Sequence, residues 1–182
     1  MAADNKFQSL KRVHYFFGQM LSQDDFQAEQ NYHRERLKRH NRYLHGWGVV
    51  TGLKVSAEQK GKEHAIVISP GMALDSLGNE IVIGHPYRVC LNATGSRLYV
   101  IARYAEQKTD AIIEGNENQT QYARVEEGFA ISIEAKEPGS ASSSGGATIK
   151  STDASSGVPI ARLLLRNRRL MVDRKYSRPR TR

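Results

Sequence analysis

One change of period governs what this chain can fold into. Between Ser22 and His45 the residues recur at helical spacing, and Gly46-Trp47-Gly48 then stops the helix; from Val49 onward short apolar runs are divided by turn residues. A single helix ahead of a long series of strands excludes an alternating βαβ sheet. The expected class is α+β, mainly β: an N-terminal arm and one long helix, followed by an antiparallel β-sandwich or small barrel.

The helix carries its own start and stop signals. The Ser22 hydroxyl can accept from a first-turn amide, and Asp24 and Asp25 sit at the positive end of the helix dipole. Lys38, Arg39 and Arg42 fall near the negative end, where cations are favoured. From Gln23 to His45 the helix spans about 23 residues, roughly 35 Å. Its three-four stripe of Phe26, Gln30, His33, Leu37, His40 and Leu44 is only half apolar. That composition argues against a two-stranded coiled coil and for a helix lying across a sheet or against several subunits. Arg34, Lys38 and Arg42 follow one another at four-residue spacing on a flank, and Glu35 with Arg39 makes an i,i+4 pair worth a few tenths of a kcal/mol.

The chain divides into an arm at 1–21, the helix at 22–45, a β-domain at 46–172 and a basic tail at 173–182. The arm holds Phe7, Leu10, Val13, Tyr15, Phe16, Phe17 and Leu21 without a sustained period. Such groups need an apolar surface, either on the chain's own β-domain or on a neighbouring subunit, and the second is preferred. Strands are expected at Val49 to Val55, Ala65 to Ile68, Met72 to Leu74, Glu80 to Ile83, Tyr87 to Leu91, Leu98 to Ala105 and Phe129 to Ile133, with a last pair at Pro159 to Leu165 and Arg168 to Val172. Ser69-Pro70-Gly71 and Ser76-Leu77-Gly78-Asn79 read as turns, glycine supplying positive φ, and Asp75 is placed to bond the amides of the second. Two polar loops interrupt the β-domain, at Glu114 to Gln121 and at 138–157; the second is nearly all Ser, Gly, Ala and Thr and reads as a mobile excursion.

At 182 residues the chain has room for one domain with appendages. No apolar run approaches the roughly 20 residues of a membrane helix, and the N-terminus lacks a signal-peptide layout, so cytoplasmic synthesis and no membrane partner are expected. The net charge of +8 is unevenly distributed. From Arg162 onward nine Lys or Arg face one acid, Asp173, while the preceding 161 residues balance. Arg174, Lys175, Arg178, Arg180 and Arg182 are therefore read first as a solvated terminal run, then as a contact for an acidic partner, and last as a nucleic-acid site.

Chemistry is scarce. His33 and His40 are seven residues apart, too far for one ion, and His40 and His45, five apart, are expected on different helix faces; no metal site is expected within one chain. The single cysteine, Cys90, reads as a buried small residue. No nucleophile motif, phosphate loop or dinucleotide glycine pattern occurs, so no enzyme and no cofactor are expected. Trp47, between two glycines, suits either a wedge at a domain corner or an interface anchor. The interface candidates are Phe7, Tyr15, Phe16, Phe17, Phe26, Arg34, Lys38, Arg42 and Trp47.

The run from Tyr15 to Phe26 (YFFGQMLSQDDF), then Glu29 to Glu35 (EQNYHRE) and His40 to Leu53 (HNRYLHGWGVVTGL), resembles a bacterial family of contractile injection systems, the phage-tail-like particles. Ile68 to Ile83 (ISPGMALDSLGNEIVI) is similar to the same family and to attachment domains of phage baseplate and fibre proteins. The resemblance is specific over 15–83, weaker over 98–134 and absent from the Ser/Gly loop and the tail. It implies a non-enzymatic structural or adaptor component at or near the baseplate or fibre attachment, bound to other subunits of the particle or to further copies of itself, with a trimer favoured. It also implies a particle that stays inside the cell or is released. The alternative is a carbohydrate- or nucleic-acid-binding β-module using the basic tail.

Overall fold

The computed structural model describes residues 9–60, 63–91, 95–113, 120–138, 157–166 and 169–182. Phe7 and almost all of the 138–157 loop lie outside them. One α-helix, α1 (Gln23–His40), runs into a single π-helical turn (Asn41–His45), and ten strands follow. These are β1 (Gly48–Gly52), β2 (Val55–Lys60), β3 (Glu63–Ile68), β4 (Gly71–Leu74), β5 (Glu80–Ile83), β6 (Tyr87–Cys90), β7 (Arg97–Ile113), β8 (Thr120–Glu134), β9 (Val158–Arg166) and β10 (Arg169–Val172). They pair antiparallel in three sheets, ordered β1-β4-β5, β2-β3-β6 and β10-β9-β7-β8, which curl as a half-barrel. The fold is α+β and mainly β, as the change of period requires.

All three sheets supply one core. Val49, Ile66, Ile68, Ala73, Ile81, Ile83, Val100, Val158 and Leu163 are buried together. Period-two alternation does the sorting: in β5, Ile81 and Ile83 point inward while Val82 faces solvent.

Chain direction changes at two stacked corners. The expected single strand from Val49 to Val55 is broken at Leu53, which has φ 51° and is fully buried. There the chain leaves the sheet of β1 for that of β2. The Leu53 amide donates to Pro70 O at 3.3 Å, and the Ser69 amide to Lys54 O at 2.8 Å. A Cβ on Gly71 would lie 2.4 Å from Leu53 N, so this glycine serves close approach and not positive φ.

The turn between β4 and β5 is built on one carboxylate. Buried Asp75 accepts from the amides of Leu77 (2.9 Å) and Asn79 (2.8 Å) through Oδ1, and from Asn79 Nδ2 (2.8 Å) through Oδ2. Gly78 follows at φ 86°.

Two expected strands are much longer than read. β7 and β8 continue past Ala105 and start before Phe129 to form a hairpin whose outer part is exposed on both faces, including Ile112, Tyr122 and Val125. Cys90 is also corrected: it is exposed on edge strand β6, where an Arg88 guanidinium nitrogen donates to its sulfur at 3.3 Å.

Candidate protein-protein interface

α1 begins on a reciprocal cap. The Asp25 amide donates to Ser22 Oγ (3.3 Å), and Asp25 Oδ2 accepts from the Ser22 amide (2.9 Å) and hydroxyl (2.8 Å). Those bonds hold the Asp25 carboxyl below the usual carboxylate range. Beyond the cap, none of the 18 residues of α1 is buried. Phe26, Leu37 and, in the next turn, Leu44 are each more than half exposed. Proteins draw most of the stability of a helix from packing its apolar face. Here Phe26 and Leu44 are open, and Leu37 is only half covered, in a cleft it lines together with Gly78, Asn79 and Tyr104.

The helix is fastened to the β-domain mainly at its far end. Asn41, 5% exposed, donates through Nδ2 to Gly78 O at 3.0 Å and lies 3.4 Å from Glu80 Oε1. A Cβ on Gly78 would meet Lys38 O at 2.3 Å, so the glycine that turns the chain also lets the helix sit down on it. Midway, Arg34 forms a 2.7 Å ion pair with Glu106 of β7, which also accepts from the Tyr104 hydroxyl at 2.8 Å. Burial, reinforced by Glu106, pushes the Tyr104 phenol up.

The arm is equally open. Phe16 and Gln19 close a tight turn, the Gln19 amide donating to Phe16 O at 3.2 Å, with Gly18 at φ 82°. Its apex displays Phe17, fully exposed, between half-exposed Tyr15 and Phe16 and nearly free Met20. Lone exposed apolar residues are ordinary, but here they form a run continuous with a bare helix, an extended exposed apolar patch.

At the other end of the helix the π turn changes what the sequence implied about histidine. Residues five apart share a face in an i→i+5 turn, so His40 and His45 meet with Nε2 atoms 3.3 Å apart and rings at 5.2 Å, correcting the expectation of different faces. One N–H is shared between them. Among the described residues no group of three or more His, Cys, Asp or Glu could hold a metal ion. His33 lies 3.1 Å from Glu29 instead.

The basic tail does not stand free. Pro179 O accepts from the Val49 amide at 2.9 Å, Arg180 bridges Val49 in parallel, and the Arg182 amide donates to His45 O at 2.9 Å. The Arg178 guanidinium turns inward to Leu53 O (2.6 Å) and Gly52 O (3.0 Å). Upstream, Asp173 pairs with Arg162 at 2.7 Å, and its carboxyl is held low by the Lys175 amide and by Arg162. Arg174 and Lys175 remain exposed. Gly48 makes the docking possible, since a Cβ there would lie 2.7 Å from Arg180 N. The second glycine of Gly46-Trp47-Gly48 was thus the available signal for a seated tail, while Asn41 carried no local signal at all.

The sequence-derived candidates accordingly fall into three places. Tyr15, Phe16, Phe17 and Phe26 line the open arm and helix; Arg34 and Lys38 lie where α1 faces the β-domain, with Lys38 Nζ 3.7 Å from Glu35; Arg42, Trp47, Arg180 and Arg182 share one groove at the helix end. Trp47 is half-exposed in that groove and outside the core.

No family model matches the sequence, and no curated protein matches it. Solved structures share the fold. A chain of the type VI secretion system TssK-TssF-TssG baseplate subcomplex aligns over 94% of this chain with a TM-score of 0.55 and 12% identity. A chain of a type VI secretion baseplate complex gives 0.56 and 12% over 94%, and the crystal structure of TssK 0.50 and 14% over 91%. This chain spans 62%, 60% and 41% of the length of those three. At such identities the likeness is one of fold.

Proposed function

We propose that this half-barrel with its leading helix is a non-enzymatic structural adaptor of a phage-tail-like contractile injection particle, held at or near the baseplate or a fibre attachment. The observation that carries the reading is the bare helix: 18 residues with none buried, preceded by an arm whose Tyr15, Phe16, Phe17 and Met20 are exposed among the described residues. A stable protein interface covers about 800 Å² per partner around a few aromatic anchors, and Phe17, Phe26 and Leu37 are suited to that role. The fold shared with chains of type VI secretion baseplate structures supports the same placement. The role demands shape and contact, and it assigns no reaction to the chain. No helix among the described residues is long and apolar enough to cross a membrane.

The neighbours would be other particle subunits or further copies of this chain, as a trimer. Size-exclusion chromatography with light scattering, alone and with purified baseplate subunits, tests this. We expect an oligomer or a stable complex that Phe17→Ala and Leu37→Ala weaken. A monomer that binds none of the subunits would overturn the proposal.

A further inference from the structure

The end of the helix and the seated tail enclose a groove lined by Arg42, Tyr43, His45, Gly46, Trp47, Arg180 and Arg182. Its two walls are far apart in sequence and are held together by backbone bonds, Arg182 N to His45 O and Val49 N to Pro179 O. It is therefore built before any ligand arrives. Three guanidinium groups line it and no Asp or Glu does. None of Arg42, Arg180 and Arg182 forms an ion pair among the described residues, in contrast to Arg34, Arg88, Arg103, Arg124 and Arg162, each of which has its acid. The Nε of Arg42 is buried without an acceptor. A buried donor left without an acceptor costs about 1 to 3 kcal/mol, so Arg42 is not held in place by a full set of bonds within the described residues.

From this geometry we infer that the groove is a binding site for carboxylates, occupied by an acidic segment of a neighbouring protein. Arginine is the cation suited to it, because its planar fork takes a carboxylate through two parallel bonds. Trp47 and Tyr43 supply apolar walls for the stem of an aspartate or glutamate. A protein segment is favoured over nucleic acid because the guanidinium groups stand beside Tyr43 and Trp47 in a short groove, which suits a carboxylate side chain with an apolar stem. Arg178, in the middle of the tail's basic run, is turned into the chain's own carbonyls and is not offered to a ligand. The inference deepens the adaptor reading by naming the chemistry of one neighbour, and it rests on that reading for the neighbour's existence.

Trp47 is the only tryptophan of the chain, so its emission reports on the groove directly. Hexaglutamate titrated into the full chain at low ionic strength should give a saturable change in that emission. Raising salt to about 0.3 M should abolish it. Arg42→Gln and Arg180→Gln, checked for folding by circular dichroism, should each weaken binding about tenfold. Arg124→Gln, on the exposed hairpin, should leave it unchanged. The inference fails if emission does not saturate, if the Arg42→Gln/Arg180→Gln double variant binds as well as the parent, or if oligothymidylate of equal charge binds more tightly. The probe needs no particle subunit, so failure here leaves the adaptor test standing. A chain that binds hexaglutamate yet never assembles would sink the adaptor reading, and with it the neighbouring protein as occupant, leaving only the carboxylate chemistry of the groove.

Discussion

Ile81 and Phe17 are large apolar side chains of one molecule at opposite limits, the first 0% exposed and the second 106%. Every sheet contributes side chains like Ile81 to one closed core, whereas α1 and the arm contribute none. Burial is the main favourable term in folding, so the half-barrel is stable by its own sequence and the leading segment is not. The difference separates what makes this chain fold from what, on the adaptor proposal, makes it associate.

That separation can be broken by mutation. Ile81→Ala should lower the stability of the β-domain by about 3 kcal/mol in urea unfolding, the transfer loss plus a cavity. Asp75→Ala should cost about 2 kcal/mol, because two turn amides and the Asn79 side chain lose their acceptor. Hydrogen exchange at Leu77 and Asn79 would locate that loss. Ser22→Ala should reduce helix stability by about 1 kcal/mol, seen as lost far-ultraviolet ellipticity with the urea midpoint of the β-domain unchanged.

Acid offers a reversible version of the same test. The Asp25 carboxyl is depressed in the folded chain, so its contribution is full above the ordinary carboxylate value of 3.8 and disappears as pH falls through its lowered value. Helical signal should fall in that window in the parent and be blunted in Ser22→Ala. The smallest effect is expected at the apex of the arm: Phe17→Ala should change stability by less than about 0.5 kcal/mol while weakening assembly. Equal losses from Ile81→Ala and Phe17→Ala would erase the distinction between the two regions.

Legibility in the sequence followed the range of the contacts. The turn at Asp75-Ser76-Leu77-Gly78-Asn79 and the start of α1 at Ser22 could be read because their bonds run between residues two to four apart. The outer parts of β7 and β8 could not, since both faces meet solvent and leave no alternation to detect. The seated tail depends on backbone groups about 130 residues apart, such as Val49 and Pro179, which no local pattern records. For the groove, the residue types Arg42, Trp47, Arg180 and Arg182 were visible, but their convergence was not. His40 and His45 were misplaced because straight α-helical geometry was assumed where the chain makes a wider turn.

The first residue of that wider turn also sets the compass bearing of α1. Asn41 follows the helix directly and seats on Gly78, so the azimuth of Phe26 and Leu37 relative to the half-barrel depends on how many residues separate them from Asn41. Removing one of them would swing the stripe by about 100°, the angular step of an α-helix. The direction in which the exposed stripe looks out is thus written in its spacing from one seated asparagine as much as in the side chains it carries.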